Sequence, residues 1–465
     1  MSRTRRVKII STIGPASWGQ AAFEALINAG ADVFRINMSH TSHALLREAV
    51  ADIRSVEEKL GTSIGILVDL QGPKLRVGRF EAPYELTGGA AFRLDNTPEP
   101  GNQDRVFLPH PEIIEHAQVG HRLLIDDGRV TLRVTAVAKD HLDTEVVYGG
   151  RISSNKGVSL PDTELPAASM TEKDRADIGA AIQLDIDWIA LSFVQRAEDM
   201  IALRQLVGPS FGLVAKLEKP QMLPHLDAII SASDAVMVAR GDLGVELPME
   251  QVPSIQKMIV HKARALGRPV IVATQMLESM ISSPVPTRAE ATDVSVAVFE
   301  GVDAIMLSAE TASGKYPVEA VNTMHRIAST VEQDSGYPAM IRISQAIPER
   351  TIRDAVAAGA RHISEVVGSA AVAVYTVSGN MALRIARERP VKPIIALTSD
   401  RRVARRMRMV WGTSGTLYNA NENVAMAALA AANEHGYTNK ADSIVLISGP
   451  VSTDKNALRV LTVKD

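Results

Sequence analysis

The sequence predicts an α/β fold in which a (β/α)8 barrel of the TIM type is interrupted by an inserted all-β module and followed by a doubly wound α/β domain. Three observations carry the prediction. Eight short apolar, β-rich runs alternate with stretches of helical apolar periodicity. A long segment between the third and fourth runs alternates with period two instead. Strand and helix patterns then resume after Tyr337-Pro338.

In order, the eight runs cover residues 7 to 12, 32 to 36, 64 to 69, 187 to 192, 213 to 217, 234 to 238, 269 to 273 and 303 to 307. Phe23, Leu26 and Ile27 mark the helical stretch after the first run, and Ile255, Met258, Ile259 and Lys262 mark the one before the seventh. The helix after the seventh run has its own start signal: Thr287 and Glu290 stand at capping-box spacing behind Pro284 and Pro286. Repeated strand-helix units of this kind close into a barrel. The gap before the fourth run is too long for one crossover, and residues 75 to 159, with RVTLRVTAVAKD and TEVVYGGRI, read as the inserted module. Runs at 372 to 378, 393 to 399 and 443 to 449 read as the sheet of the last domain. The expected division is 1–71 and 161–337 for the barrel, 72–160 for the insertion and 338–465 for the C-terminal domain.

Composition bounds the function. The 465 residues are 46% hydrophobic and 22% charged, enough to bury several cores, and the net charge of −3 gives no global attraction to nucleic acid or membrane. Any anion must therefore bind at a local site. With no cysteine, disulfides and thiolate zinc sites are excluded, and oxygen ligation of a magnesium-type ion is the natural metal chemistry. The start MSRTRRVKII has Arg3, Arg5, Arg6 and Lys8 before an apolar run, but Gly14-Pro15 ends that run too early for a signal peptide. No run approaches 18 apolar residues, so a soluble, cytoplasmic protein is expected.

Barrels of this kind carry their active sites at the C-terminal ends of the strands, so what each run ends in is informative. The second ends in Arg35 and Asn37, the third in Asp69, the fourth in Ser192, the fifth in Lys216 and Glu218, the sixth in Arg240 and Asp242, the seventh in Thr274, the eighth in Ser308 and Glu310. Carboxylates with hydroxyls suit a hard divalent cation, and cationic side chains suit a phosphate. In GLVAKLEKP, residues 212 to 220, Lys216 and Glu218 fall on the same face of a strand. They are either a buried salt bridge or two parts of a ligand site. In VARGDLGVELP, Gly241 and Gly244 flank Asp242-Leu243, where peptide N–H groups at a short helix start suit a carboxylate or phosphate.

As a set, RINMSH (35 to 40), VDLQGPKLRVG (68 to 78), IDDG (125 to 128), NKGVSLP (155 to 161), LSFVQR (191 to 196), AKLEKP (215 to 220), MVARGDLGVELP (237 to 248) and ATQMLESM (273 to 280) resemble the pyruvate kinase family, as do PTRAEATDVSVAVFEGVDAIMLSAET (286 to 311) and MVWG (409 to 412). The resemblance covers essentially the whole chain. It implies phosphoryl transfer from phosphoenolpyruvate to ADP, with magnesium or manganese as cofactor, in a homotetramer. Carried onto this sequence, it puts Lys216 and Arg35 at the phosphoryl group, and Glu218 and Asp242 on the metal. Gly241, Asp242 and Thr274 take the substrate carboxylate, while Asn37, His40, Arg76 and Lys156 contact the nucleotide. Thr274 and Ser308 lie near the enolate carbon, and Asp127 is on a lid that closes over the nucleotide. A magnesium-dependent lyase on a related barrel is the alternative, with the lid residues speaking against it.

Two departures change the expectation. The family's monovalent-cation position maps to Asn37, Ser39, Asp69 and Leu70, but Lys74 stands where potassium-dependent relatives carry glutamate, and Leu70-Gln71 where they carry Thr-Lys. A tethered ammonium, with Asp69 as its partner, then replaces potassium, which is not required. The effector loop TVSGNMA (376 to 382) has Met381 where the family repeats a hydroxyl, and SGPVSTDKNALRV (448 to 460) offers Asp454 to a phosphate, so fructose bisphosphate activation is not expected. Arg401, Arg402, Arg405, Arg406 and Arg408 lack an aromatic platform and match a family helix near subunit contacts, so no nucleic acid is expected. His40 and His43 have ligand-like spacing without the further ligands zinc requires.

Overall fold

The computed structural model describes residues 5–163, 165, 170–343, 347, 348, 350–419, 421–448 and 457–463. Arg3, Asp454 and the rest of 449–456 lie outside them. The barrel strands are β1 (Lys8–Thr12), β2 (Val33–Asn37), β3 (Gly65–Asp69), β4 (Trp188–Leu191), β5 (Gly212–Leu217), β6 (Ala235–Ala239), β7 (Val270–Ala273) and β8 (Ala304–Leu307). They close in the order β1-β8-β7-β6-β5-β4-β3-β2 with every pairing parallel. Each end falls within one residue of the run read from the sequence.

The strands read as unbroken apolar runs because both faces are buried. Ile10, Val33, Leu67, Val214, Met237 and Ile271 belong to the barrel interior, while alternate residues such as Ile9, Phe34, Val68 and Leu213 pack against the helices. The helix Arg288–Phe299 begins with the expected capping box: the Glu290 amide donates to Thr287 Oγ1 at 3.2 Å and the Thr287 amide to Glu290 Oε2 at 2.7 Å.

Between β3 and β4 a six-stranded sheet and a two-stranded sheet, Tyr84–Leu86 with Gly150–Ile152, enclose their own core of Phe92, Leu94, Val106, Leu132 and Val146. The module is not purely β, which corrects the expectation. The helix Pro111–His116 sits inside it, started by a proline at its first position and plugged into that core by Ile113 and Ile114.

The C-terminal sheet has β9 (Ala371–Tyr375), β10 (Ile394–Thr398), β11 (Thr413–Leu417), β12 (Ser443–Ser448) and β13 (Ala457–Thr462), in the order β11-β10-β9-β12-β13. Apolar groups cover both of its faces, as double winding requires: Val372 and Val374 join one cluster, Ala371 and Ala373 another. Two strands were missed. β11 is TSGTL, with little apolar signal, and β13 is a largely exposed antiparallel edge strand in which only Leu458 and Leu461 are half-buried.

The arginine-rich helix Arg401–Arg406 docks this domain on the barrel floor. Arg405 is buried and bridges Glu57 and Asp185, each at 2.6 Å; Arg408 donates to Thr62 Oγ1 at 2.7 Å; Arg402 stacks over Phe211 at 4.6 Å. Met409 joins the barrel-interior cluster. Arg402, Arg405 and Arg408 thus hold two domains of one chain together.

Candidate active site

Four strand ends converge on Lys216. The apolar wall of β5 carries its ammonium to Glu218 Oε1 at 2.8 Å, Asp69 Oδ1 at 3.3 Å and Ser192 Oγ at 2.7 Å. Arg35 donates from Nε to Asp69 Oδ2 at 2.6 Å and from Nη1 to Thr12 Oγ1 at 3.1 Å. The second oxygen of Glu218 accepts the Phe193 amide at 2.9 Å, and Phe193 adopts φ of 57° to present it.

The charges are strongly interdependent. Burial acts to lower the Lys216 pKa, but Asp69 and Glu218 outweigh it and hold the ammonium protonated. Glu218 moves up, chiefly through burial and then through the neighbouring Asp242 carboxylate, with Lys216 opposing. A buried carboxylate raised in this way, with a second carboxylate beside it, is suited to a further cation. Among the described residues no group of three His, Asp, Glu or Cys side chains could hold a metal alone. Glu218 and Asp242 fit a magnesium-type ion that keeps waters and substrate oxygens as its other ligands.

At the end of β6 the expected bare amide is not bare: the Gly241 N–H donates to Thr274 Oγ1 at 2.7 Å. The Thr274 hydroxyl donates in turn to Ala273 O at 2.6 Å. Glu310 is a brace and not a ligand, accepting the Ser308 amide at 2.6 Å and the Leu277 amide at 3.2 Å. Burial pushes its carboxyl up. Ser308 stands at the N-cap position of the short helix Ala309–Ala312, with no capping bond from its side chain.

A cleft of about 130 Å³ opens between the inserted module and the barrel, lined by Lys74, Asp127, Glu218, Lys219, Asp242 and Glu246 among others. Of the expected nucleotide residues, Lys156 pairs with Asp126 at 2.9 Å, Arg76 donates to Asn155 O at 2.6 Å, and His40 is exposed. Asn37 Oδ1 accepts the Ser39 amide at 3.1 Å. Leu70 O accepts from Ser192 Oγ at 2.7 Å. Lys74 is exposed on the cleft rim, and Asp69 pairs with Arg35 and Lys216 instead. The expected Lys74 to Asp69 pair is therefore wrong: Asp69 points to the barrel axis, where two nearer cations take it. His43 pairs with Asp177 at 2.8 Å.

Sequence reading missed Thr12, although the same strand-end test applied to the first run finds it. It also missed Phe193, whose contribution is a backbone amide, and the Lys219 to Glu246 pair, which needs the turn after β6 to form.

Comparison with known proteins shows the family. Residues 4–321 match the family described as pyruvate kinase, barrel domain, and residues 354–461 match pyruvate kinase, alpha/beta domain. The chain is 50% identical over 453 residues to a pyruvate kinase of Methylorubrum extorquens, covering 97% of this chain and 95% of that protein. It is 39% identical to one of Geobacillus stearothermophilus, covering 99% of this chain and 81% of the other. The crystal structure of a pyruvate kinase from Cryptosporidium parvum superposes with a TM-score of 0.94 at 32% identity, covering 98% of this chain and 96% of that one.

Proposed function

The chain belongs to the pyruvate kinase family, transferring the phosphoryl group of phosphoenolpyruvate to ADP to give pyruvate and ATP, and we propose that it does so with the strand-end cluster around Lys216. The observation that carries the assignment is the buried convergence of Lys216, Arg35, Glu218 and Asp69 on one point of the barrel mouth. The family finding decides against the lyase alternative.

Phosphoryl transfer asks for positioning and charge neutralisation more than covalent work. A nucleotide phosphate oxygen attacks phosphorus while the bond to the enol oxygen breaks. Lys216 and Arg35 face the oxygens of the migrating group; one cation about 4 Å away contributes roughly 4 kcal/mol at an effective dielectric near 20. Glu218 and Asp242 hold magnesium or manganese, which supplies Lewis-acid charge neutralisation at the phosphoryl group when bound. The substrate carboxylate takes the Gly241 and Asp242 amides and the Thr274 hydroxyl, displacing the internal bond between Gly241 and Thr274. The enolate then takes a proton on carbon by way of water, with Thr274 and Ser308 the hydroxyls facing that carbon.

Asn37, His40, Arg76 and Lys156 form the nucleotide side, and Asp127 closes over it from the lid, excluding water from a transfer that must not become hydrolysis. Potassium is not required. That reading is supported by the engagement of the Asn37, Asp69 and Leu70 oxygens by protein donors and by the ammonium of Lys74 on the cleft rim. Met381 packs against the C-terminal core, in keeping with a loop that does not take fructose bisphosphate.

The division at residues 71, 160 and 337, a homotetramer and a cytoplasmic location complete the reading. No helix among the described residues is long and apolar enough to cross a membrane. Coupling pyruvate formation to lactate dehydrogenase tests it: signal should require phosphoenolpyruvate, ADP and a divalent cation together, and pyruvate released without ADP would contradict the reading.

A further inference from the structure

Thr274 and Gln275 both occupy the left-handed region, with φ of 69° and 53°. For a β-branched residue such backbone is strained, and strain persists only where the surroundings over-determine it. Here the determinant is Arg240. Its Nη2 donates to the Thr274 carbonyl at 2.8 Å and the Gln275 carbonyl at 3.3 Å, and lies 2.9 Å from Met276 Sδ. Its Nη1 donates to Asp293 Oδ1 at 2.7 Å, and Asp293 rides on the helix Arg288–Phe299. On the other side of the same turn the Thr274 hydroxyl is fixed between the Gly241 amide and the Ala273 carbonyl.

We infer that Arg240, braced by Asp293, is the positioning residue for Thr274: its planar fork pins the carbonyls of residues 274 and 275 and so fixes where the Thr274 hydroxyl stands in the site. The role suits arginine, because two adjacent carbonyls and a carboxylate need several donors in fixed geometry, which a lysine ammonium does not supply. It deepens the assignment of Thr274 made above and rests on it. Arg240 acts through Thr274 and not on the reacting atoms.

The test compares Arg240→Met, Arg240→Lys, Asp293→Asn, Thr274→Ala and the double variant Arg240→Met with Thr274→Ala, each in the full chain with magnesium. Two readouts are taken: steady-state kcat and KM, and exchange of the pyruvate methyl protons with D2O followed by NMR. Misplacing the hydroxyl by about 1 Å should lower kcat and methyl exchange about a hundredfold in Arg240→Met. The KM for ADP should stay within about twofold, since the nucleotide side is untouched. Arg240→Lys, which keeps a cation, should recover part of the loss, and Asp293→Asn should show a smaller loss of the same kind. The double variant should be no worse than Thr274→Ala alone, because both remove one function. If the double variant instead multiplies the two single losses, or if Arg240→Met is unimpaired while Thr274→Ala is slow, the positioning role is overturned. If Thr274→Ala itself exchanges normally, the assignment of Thr274 fails. Should Arg240→Met not fold, the lysine and asparagine variants decide by the same readouts.

Discussion

Replacing Lys216 with methionine removes a buried cation from between two carboxylates while keeping most of the side chain's volume. Its effect divides into two parts that can be measured separately. On the reaction, loss of one positive charge about 4 Å from the phosphoryl group removes roughly 4 kcal/mol of stabilisation, or about a thousandfold in kcat. On the resting protein, Glu218 loses the ammonium now at 2.8 Å and Asp69 the one at 3.3 Å. Removing one partner of a buried pair costs about 3–5 kcal/mol in general. Here Arg35 stays on Asp69 and the Phe193 amide on Glu218, which puts the cost at the lower end.

A further consequence separates a ligand site from a plain salt bridge. Because the ammonium and the divalent cation compete for Glu218, manganese should bind more tightly to Lys216→Met without substrate, even as turnover collapses. The coupled assay reads kcat, electron paramagnetic resonance reads free manganese, and calorimetry shows that phosphoenolpyruvate still binds. Turnover within about tenfold of wild type would refute the reasoning, since a cation at this distance cannot contribute so little.

Three further outcomes follow from other parts of the molecule. Burial pushes the Asp187 carboxyl up to about 6 against the pull of Arg54, so the folded state holds a proton the unfolded chain releases. Its contribution, roughly 3 kcal/mol, is present below about pH 4 and lost as pH rises through 6. The stability of wild type minus that of Asp187→Asn should therefore fall between pH 4 and pH 7 in urea unfolding, and a flat difference would contradict this. Arg405→Met should cost about 3 kcal/mol, the lower end for a broken buried pair because Arg54 and the Ile64 amide stay on Glu57, and should expose β11 to hydrogen exchange at the domain seam. A loss under about 1 kcal/mol would mean the bridge behaves as a surface pair. In potassium-free tetramethylammonium buffer the enzyme should run at full rate, and a many-fold rise on adding potassium chloride would overturn the role given to Lys74.

What was legible in the sequence followed from how local its cause is. Barrel strands buried on both faces announce themselves as apolar runs, and a polar residue at the end of each marks the mouth, so Arg35, Asp69, Lys216, Glu218 and Thr274 were all found by position. The capping box at Thr287 is local as well. Partnership is not: Asp69 was given to Lys74, five residues away, because nothing in the sequence says that Arg35 and Lys216 approach it first. Gly241 read as an open amide because its occupant, Thr274, comes from the next strand. β13 and β11 escaped because an edge strand and a strand of small polar residues carry too little apolar alternation.

The role proposed for Glu218, which pairs with Lys216 in this structure, is to serve with Asp242 as a metal ligand. Manganese titration of wild type, Glu218→Gln and Asp242→Asn tests it most directly. Wild type should bind one ion per chain, weakened at least about a hundredfold in either variant. Unchanged affinity in both would show that Glu218 is only a salt-bridge partner and that the metal is held elsewhere.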